Sequence, residues 1–210
     1  TKPTQHSVKE LRGLGIIPDI LVCRSTQPMT EETKQKLAAF CHVSADAVMS
    51  THDVPNIYHV PLMLEKQGLC KILGIDCNAT NLLEEWKEMA HGLDLLKEDV
   101  TIAMVGKYTD LSDAYLSVIK SLQHAAMKVE RKLMINWIEA GHLENEWKTN
   151  NNEEWVSAWN LLESSDGVLV PGGFGDRGIE GKILAVKHAR ENNVPFLGIC
   201  LGLQVAAIEF

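Results

Sequence analysis

In the stretch VPFLGICLGLQVAAIEF (194–210), a cysteine separates an apolar run from a helical pattern. The apolar run before Cys200 predicts a buried strand, and the residues after it predict a helix. Gly198 and Gly202 lie two residues to either side of the cysteine. A nucleophile in a sharp strand-to-helix turn needs small residues there, because larger side chains would collide with the adjoining strand and helix. The stretch therefore predicts a nucleophile elbow.

The rest of the C-terminal half alternates between apolar runs and helical patterns. This alternation predicts an α/β fold with a doubly wound parallel sheet. In such sheets, ligands bind beyond the C-terminal ends of the strands. The predicted strands are 100–106, 132–138, 166–173 and 194–200, and the predicted helices are 112–129, 152–165 and 179–191.

Three unusual motifs follow predicted strands: GKY (106–108), PGGFG (171–175) and Cys200. A cysteine at a helix N-terminus is favoured as the thiolate. The N–H of Leu201 is placed to donate to an oxyanion, and a glycine in PGGFG can supply the second donor. By itself, the GxCxG spacing is also compatible with a structural cysteine. The preceding glycine-rich motif favours the catalytic interpretation.

The N-terminal half is less regular. Thr30 is predicted to cap a helix over 30–41. Pro61 is predicted as the first residue of a short helix, and Gly92 as the end of another. The predicted strands here are 18–23 and 46–51, the predicted helices are 30–41, 61–68 and 81–92, and the candidate linker is around 92–99.

Composition restricts the function classes. The 210 residues carry a net charge of −8, which argues against a general nucleic-acid binder, and 45% of them are hydrophobic. No apolar run reaches the roughly 18 residues that a membrane span requires. The five cysteines include no CxxC pair, so we expect neither a disulfide framework nor a zinc site, and no metal site is predicted. A reducing, cytoplasmic setting fits this pattern.

The motifs resemble a known family. The segment PGGFGDRGIEGKILAVKHARENNVPFLGICLGLQVAAIEF (171–210) is similar to the class I glutamine amidotransferase domain of the CTP synthase family, and MVGKYTDLSDAYLSVIKSL (104–122) resembles the opening of that domain. TKPTQHSVKELRGLGIIPDILVCRS (1–25) resembles the end of the synthase, or amidoligase, domain, a P-loop-type α/β domain. The resemblance implies an amidoligase part at 1–92, a linker at 93–99 and an amidotransferase part at 100–210.

The resemblance also implies site residues. Cys200 would be the nucleophile that forms a glutamyl thioester, with Gly173 and the N–H of Leu201 in the oxyanion hole. The residues that would hold glutamine are Leu201, Gly202, Leu203 and Gln204. The residues that would bind UTP or CTP are Thr1, Lys2, Pro3, Thr4, Gln5 and Lys36. Without the resemblance, Lys36 is better interpreted as part of a solvated helix face.

The implied activity is ATP-dependent amination of UTP to CTP with ammonia from glutamine. Mg²⁺ would accompany ATP, GTP is a possible allosteric activator, and the family forms homotetramers and sometimes filaments. The sequence contains no P-loop motif, so we expect the ATP and Mg²⁺ sites to lie elsewhere. No His-x-Glu pair follows Cys200 in the sequence, so we expect the chain to be inactive alone. One alternative is a catalytically dead module that binds nucleotide or supports assembly. Another is the glutaminase of GMP synthase, against which the TKPTQHSV segment argues.

Overall fold

The computed structural model describes residues 1–76, 82–107 and 112–210. They form two compact units, Thr1–Leu95 and Leu96–Phe210, called here the first and second unit. Tyr108 of the GKY motif and Cys77 lie outside the described residues. The assignment of 1–92, 93–99 and 100–210 to two domain parts and a linker stays a prediction.

The first unit has a parallel strand pair packed against helices. Strands β1 (Leu21–Arg24) and β2 (Val48–Thr51) pair in register from Leu21 with Val48. Thr30 caps the second helix as predicted, because its hydroxyl accepts a hydrogen bond from the N–H of Thr33 at 3.3 Å. The helices are α1 (Lys2–Gly13), α2 (Glu31–Cys41), α3 (His59–Lys66), α4 (Leu69–Leu73) and α5 (Leu82–Asp94).

Two predicted helix boundaries are wrong by two residues. Helix α3 begins at His59, so Pro61 is its third residue, a first-turn position whose N–H would have no intrahelical partner. Helix α5 continues past Gly92 to Asp94. The carboxylate of Asp94 lies 2.6 Å from His59 Nε2 and accepts a hydrogen bond from Asn56 at 2.7 Å, so tertiary contacts hold the last turn of the helix.

The pairing state of one cysteine differs from the prediction. Cys70 is disulfide-bonded, so the expectation of unpaired cysteines is wrong there. The sequence offered no CxxC spacing that would have indicated a bridge. Cys23, Cys41 and Cys200 are free thiols.

The second unit contains a four-stranded parallel sheet, as predicted. The strand order is β4-β3-β5-β6, and the central strand β3 pairs with β4 from Asp99 opposite Lys132 to Gly106 opposite Glu139. The α/β fold class is therefore confirmed. The strands are β3 (Asp99–Gly106), β4 (Lys132–Glu139), β5 (Gly167–Val170) and β6 (Phe196–Gly198).

Helices cover this sheet through a buried apolar cluster. Ala103 and Val105 of β3 pack in this cluster with Leu162 and Val205 from the helices. The predicted helix over 112–129 begins instead with a 3₁₀ turn, Ser112–Tyr115. The α-helices are α6 (Leu116–Lys128), α7 (Asn145–Asn150), α8 (Asn152–Glu163), α9 (Ile179–Glu191) and α10 (Leu201–Glu209).

The parallel register decides where functional groups can meet. The carboxyl ends of all four strands lie at one edge of the sheet, after Gly106, Glu139, Val170 and Gly198. Lys107 and the PGGFG motif directly follow two of these ends, and Cys200 lies two residues after a third. Among the described residues, no helix is long and apolar enough to cross a membrane.

Candidate active site

Cys200 lies at the turn between β6 and α10, as the elbow prediction requires. Its backbone has φ 54° and ψ −104°, a conformation that residues with a Cβ rarely adopt. Such a conformation costs on the order of 1–3 kcal/mol and persists only where the surrounding structure enforces it. The turn leaves Cys200 exposed at the start of the helix.

Tight backbone packing enforces this turn. A Cβ atom on Gly202 would overlap the carbonyl oxygen of Val170 in β5. A Cβ atom on Gly198 would lie 2.5 Å from the carbonyl carbon of Gly202. The N–H of Ile199 donates to the carbonyl of Val170 at 3.0 Å, which ties the turn to the neighbouring strand. The elbow, residues 198–202, is therefore possible only with glycine at both positions.

The glycine loop, residues 171–178, passes beside the elbow. A Cβ atom on Gly172 would lie 3.5 Å from Cys200 Cβ, and one on Gly173 would lie 3.7 Å from Leu201 Cδ2. The structure thus brings together Gly173, Leu201 and Cys200. Leu201 is the first residue of α10, so its N–H has no intrahelical acceptor. Two backbone donors can therefore stand beside the thiol.

The remaining predicted glutamine residues belong to the first turn of α10. Leu203 and Gln204 are exposed, and the N–H of Gln204 donates to the carbonyl of Cys200 at 3.2 Å. Gly202 is buried against Val170. Leu203 and Gln204 therefore have side chains accessible to a ligand, whereas Gly202 acts through the backbone packing of the elbow.

Lys107 connects the end of β3 to the glycine loop. Its Nζ donates to the carbonyl oxygens of Phe174 at 2.7 Å and Gly175 at 3.0 Å. Its own carbonyl accepts a hydrogen bond from Arg177 at 3.0 Å, and its N–H donates to the Tyr115 hydroxyl at 3.3 Å. Only 8% of Lys107 is exposed. This lysine is thus a buried structural link between three segments.

A second lysine lies below the loop. Lys182 of α9 is 1% exposed, and its Nζ lies 3.9 Å from where a Cβ atom on Gly173 would be. Burial lowers the pKa of Lys182, and the nearby charge of Lys107 lowers it further. Glu139 counters this shift, but it also pairs with Arg177 at 3.4 Å. The underside of the loop therefore has more positive than negative charge.

The predicted nucleotide segment, residues 1–5, lies in the first unit at the start of α1. Thr1, Lys2 and Pro3 are exposed, and Thr4 and Gln5 are half-buried. The Thr4 side chain hydrogen-bonds the Cys23 thiol, whose pKa is raised by burial. The structure therefore places Thr4 in packing contact with β1 and leaves Lys2 accessible.

Lys36 is exposed on α2, the helix that packs beside α1. Val8 of α1 and Leu37 of α2 share one apolar cluster. Lys36 and Lys2 thus lie on adjacent helices, and both side chains are accessible. Among the residues that the structure describes, no group of three or more His, Cys, Asp or Glu side chains could hold a metal ion.

Comparison with known proteins places both units in one family. Residues 1–79 match the family model described as CTP synthase N-terminus, and residues 110–210 match that described as glutamine amidotransferase class-I. CTP synthase of Dictyostelium discoideum is 49% identical over 229 residues, and CTP synthase 2 of Saccharomyces cerevisiae is 50% identical over 223 residues, each across 100% of this chain. The chain belongs to the CTP synthase family.

The chain spans about two fifths of the length of these CTP synthases, 40% of the first and 39% of the second. A solved structure titled "Trypanosoma brucei CTPS - glutaminase domain with bound acivicin" is 40% identical, with a TM-score of 0.45. That match covers 52% of this chain and 39% of the other.

In this CTP synthase family member, the elbow around Cys200 was predicted from sequence, but the two lysines beneath the glycine loop were not. The GKY motif lies at the predicted sheet edge, but its sequence context indicates no role for Lys107. Lys182 was not singled out, because a lysine within a helical pattern normally indicates a solvated face. The alternation of apolar strands could have placed Lys107 at the loop, whereas no pattern in the sequence indicates the burial of Lys182.

Proposed function

We propose that the second unit provides the nucleophile and oxyanion hole for glutamine hydrolysis in a CTP synthase. The observation that carries the proposal is the strained, exposed Cys200 with Gly173 and Leu201 beside it. Strain is retained at a position that glycine would fill without penalty, and this supports a chemical role for the thiol. Membership in the CTP synthase family indicates glutamine as the substrate.

The geometry supports nucleophilic acyl chemistry at an amide. The Cys200 thiolate would attack the side-chain carbonyl carbon of glutamine, and the carbonyl oxygen would gain negative charge. The N–H groups of Leu201 and Gly173 would donate to that oxygen, and each such donor is worth about 3 kcal/mol in the transition state. The tetrahedral intermediate would collapse to a glutamyl thioester and ammonia. Water would then release glutamate and regenerate the thiol.

We propose that the first unit contributes to a UTP or CTP site. Lys2 and Lys36 are exposed on adjacent helices and can approach phosphate as point charges. Gln5 and Thr4 offer amide and hydroxyl groups, although the Thr4 hydroxyl already bonds Cys23. Thr1 and Pro3 would contribute through backbone and packing contacts. In the complete reaction, ammonia would replace the 4-oxygen of UTP.

ATP and Mg²⁺ are proposed as requirements of that reaction, with GTP as a possible activator. The chain contains no GxxxxGK[ST] motif, and the described residues form no acidic metal site. These residues do not fit either group, so we assign ATP and Mg²⁺ no residue of this chain and derive no step through them. By analogy with the family, the proposed assembly is a cytoplasmic homotetramer that can associate into filaments.

Labelling by a chloromethyl ketone analogue of L-glutamine tests the proposed function on the chain itself. The Cys200 thiolate would displace chloride and form a thioether, which mass spectrometry locates by peptide mapping. We expect modification at Cys200, protection by L-glutamine and no protection by D-glutamine. The test needs the nucleophile and the glutamine site, and it does not require turnover.

Two variants control for nonspecific alkylation. Cys200→Ala should abolish the protected modification, whereas Cys23→Ala should leave it unchanged, because Cys23 is a half-buried thiol with a raised pKa. Equal labelling of Cys23 and Cys200, or labelling that L-glutamine does not slow, would contradict the proposal.

A further inference from the structure

The glycine loop needs an anchor to act as an oxyanion hole. Glycines give its backbone access to many conformations, so a donor there is not fixed by local preference. Its upstream end continues from Val170, whose carbonyl oxygen accepts the hydrogen bond from the N–H of Ile199. The anchor at the downstream end is the Lys107 side chain, bonded to the carbonyls of Phe174 and Gly175.

Bonding two consecutive carbonyls fixes two peptide planes. Each peptide unit is planar, so holding the carbonyl of Phe174 also sets the direction of the next N–H. The loop is then fixed at Val170 on one side and at Phe174 on the other. Only a short segment lies between these points, and it contains Gly172 and Gly173, which lie beside Cys200 and Leu201. Gly175 itself has φ 77°, a left-handed conformation that lets the loop turn back beneath itself towards Lys107.

Lys107 is held firmly enough to serve as this anchor. It is almost fully buried, and hydrogen bonds from Arg177 and to Tyr115 fix its backbone on both sides. Lys182, the other lysine beneath the loop, donates to no loop carbonyl within the described part of the chain. The geometry therefore singles out Lys107.

We propose that Lys107 is a positioning residue for glutamine hydrolysis. Its Nζ holds the carbonyls of Phe174 and Gly175, so that Gly173 presents its N–H where the substrate oxyanion forms. This inference rests on the proposed function of Cys200, and it gives the lysine of the GKY motif a role without substrate contact. Misplacing a donor by about 1 Å can cost roughly a hundredfold in rate.

Lys107→Met tests the proposal by removing the donor while retaining most of the side-chain volume. We expect the rate of Cys200 labelling by the glutamine chloromethyl ketone to fall roughly tenfold to a hundredfold. Labelling by methyl methanethiosulfonate, which transfers a methylthio group and releases methanesulfinate without a carbonyl, should stay within about twofold. Hydrogen exchange of the peptide covering 171–178 should accelerate. Lys107→Arg, which can still donate, should recover part of the ketone-labelling rate.

Lys187→Met is the matched control, because Lys187 is an exposed lysine on α9, and it should change neither labelling nor exchange. Unchanged exchange in Lys107→Met, or unchanged ketone labelling despite faster exchange, overturns the proposal. If Lys107→Met does not fold, Lys107→Gln decides: its shorter, neutral side chain should slow ketone labelling, and a wild-type rate overturns the proposal. If the wild-type chain is not labelled, the proposed function fails, and the exchange result alone decides whether Lys107 anchors the loop.

Discussion

The elbow and the nucleotide segment were predicted from the same sequence, but the structure constrains them very differently. At the elbow, backbone atoms of Val170 and Gly202 exclude any side chain at two positions, and Cys200 is held in a strained conformation. In the nucleotide segment, Lys2 and Pro3 are exposed at a helix start. Residue spacing can therefore predict a site that is built on a sharp backbone turn. It cannot predict a site that consists of exposed side chains.

Gly202→Ala breaks the elbow side of this comparison and has the largest expected effect. The added Cβ atom would overlap the carbonyl oxygen of Val170, which cannot move without disturbing β5. We expect the second unit to lose about 3 kcal/mol of unfolding free energy. Urea unfolding followed by tryptophan fluorescence measures this, because four of the five tryptophans lie in that unit: Trp137, Trp147, Trp155 and Trp159.

Gly92→Ala is the control for the added methyl group. A Cβ atom on Gly92 meets nothing within 4 Å, and the residue lies inside α5. Alanine there should stabilise the first unit by about 0.5–1 kcal/mol, through lower entropy of the unfolded chain. A Gly202→Ala protein as stable as the wild type would show that β5 and the elbow are not packed as tightly as described.

Lys182→Met sharpens the comparison by measuring how much a buried charge beneath the candidate active site lowers the free energy of unfolding. Methionine replaces a buried charge with an apolar side chain of similar length, so we expect a gain of about 2 kcal/mol in the unfolding free energy. The folded-state pKa of Lys182 is lowered, so the unfolded chain binds more protons and wild-type stability rises as pH approaches 10.5. The stability difference between the two proteins should therefore narrow at alkaline pH.

The comparison variant for Lys182→Met is Lys107→Met. It should be destabilising instead, because it leaves two loop carbonyls without their donor. Urea midpoints between neutral and alkaline pH provide the measurement. A gap between Lys182→Met and wild type that is constant with pH would show that the lysine is not buried as a charge.

Cys200→Gly measures the backbone strain at Cys200. Glycine adopts positive φ readily, whereas alanine retains the Cβ atom that makes φ 54° and ψ −104° unfavourable. Relief of strain exceeds the added entropy of the unfolded chain, so Cys200→Gly should be about 1 kcal/mol more stable than Cys200→Ala. Urea unfolding of both variants gives the difference. An alanine variant as stable as the glycine variant would mean that the turn relaxes.

Much of the second unit was predictable from sequence because its strands are short apolar runs, of which β5 is buried throughout and β3 over its second half. The apolar runs at 100–106 and 132–138 were located to within one residue, and helix α9 was located fully. The predicted strand at 166–173 was too long, since only Gly167–Val170 pairs and the glycines form the loop. An apolar run in the sequence thus locates a strand, whereas hydrogen bonding to the neighbouring strand decides where the strand ends.

The less predictable features depend on contacts between segments distant in sequence. Helix α1 was not predicted, because its N-terminal residues were interpreted as a binding segment and few of its side chains are buried. Lys107 donates to the carbonyls of Phe174 and Gly175, which lie 67 and 68 residues further along the chain. Hydrogen bonds between such distant segments produce no periodic pattern in the sequence. The position of Gly198, by contrast, follows from contacts within the elbow itself, because a Cβ atom there would meet the backbone of Gly202.

Lys36→Met tests the nucleotide side of the comparison and has the smallest expected effect on stability. The side chain is exposed, so the unfolding free energy should change by less than about 0.5 kcal/mol. If Lys36 contacts phosphate, UTP should bind roughly tenfold more weakly, as expected for one charge-assisted hydrogen bond. Titration calorimetry with UTP, with the exposed Lys66→Met as control, separates the two effects. Equal UTP affinity in the Lys36→Met and Lys66→Met variants would show that Lys36 belongs to a solvated helix face. Exposure of a lysine would then be no evidence for a UTP site.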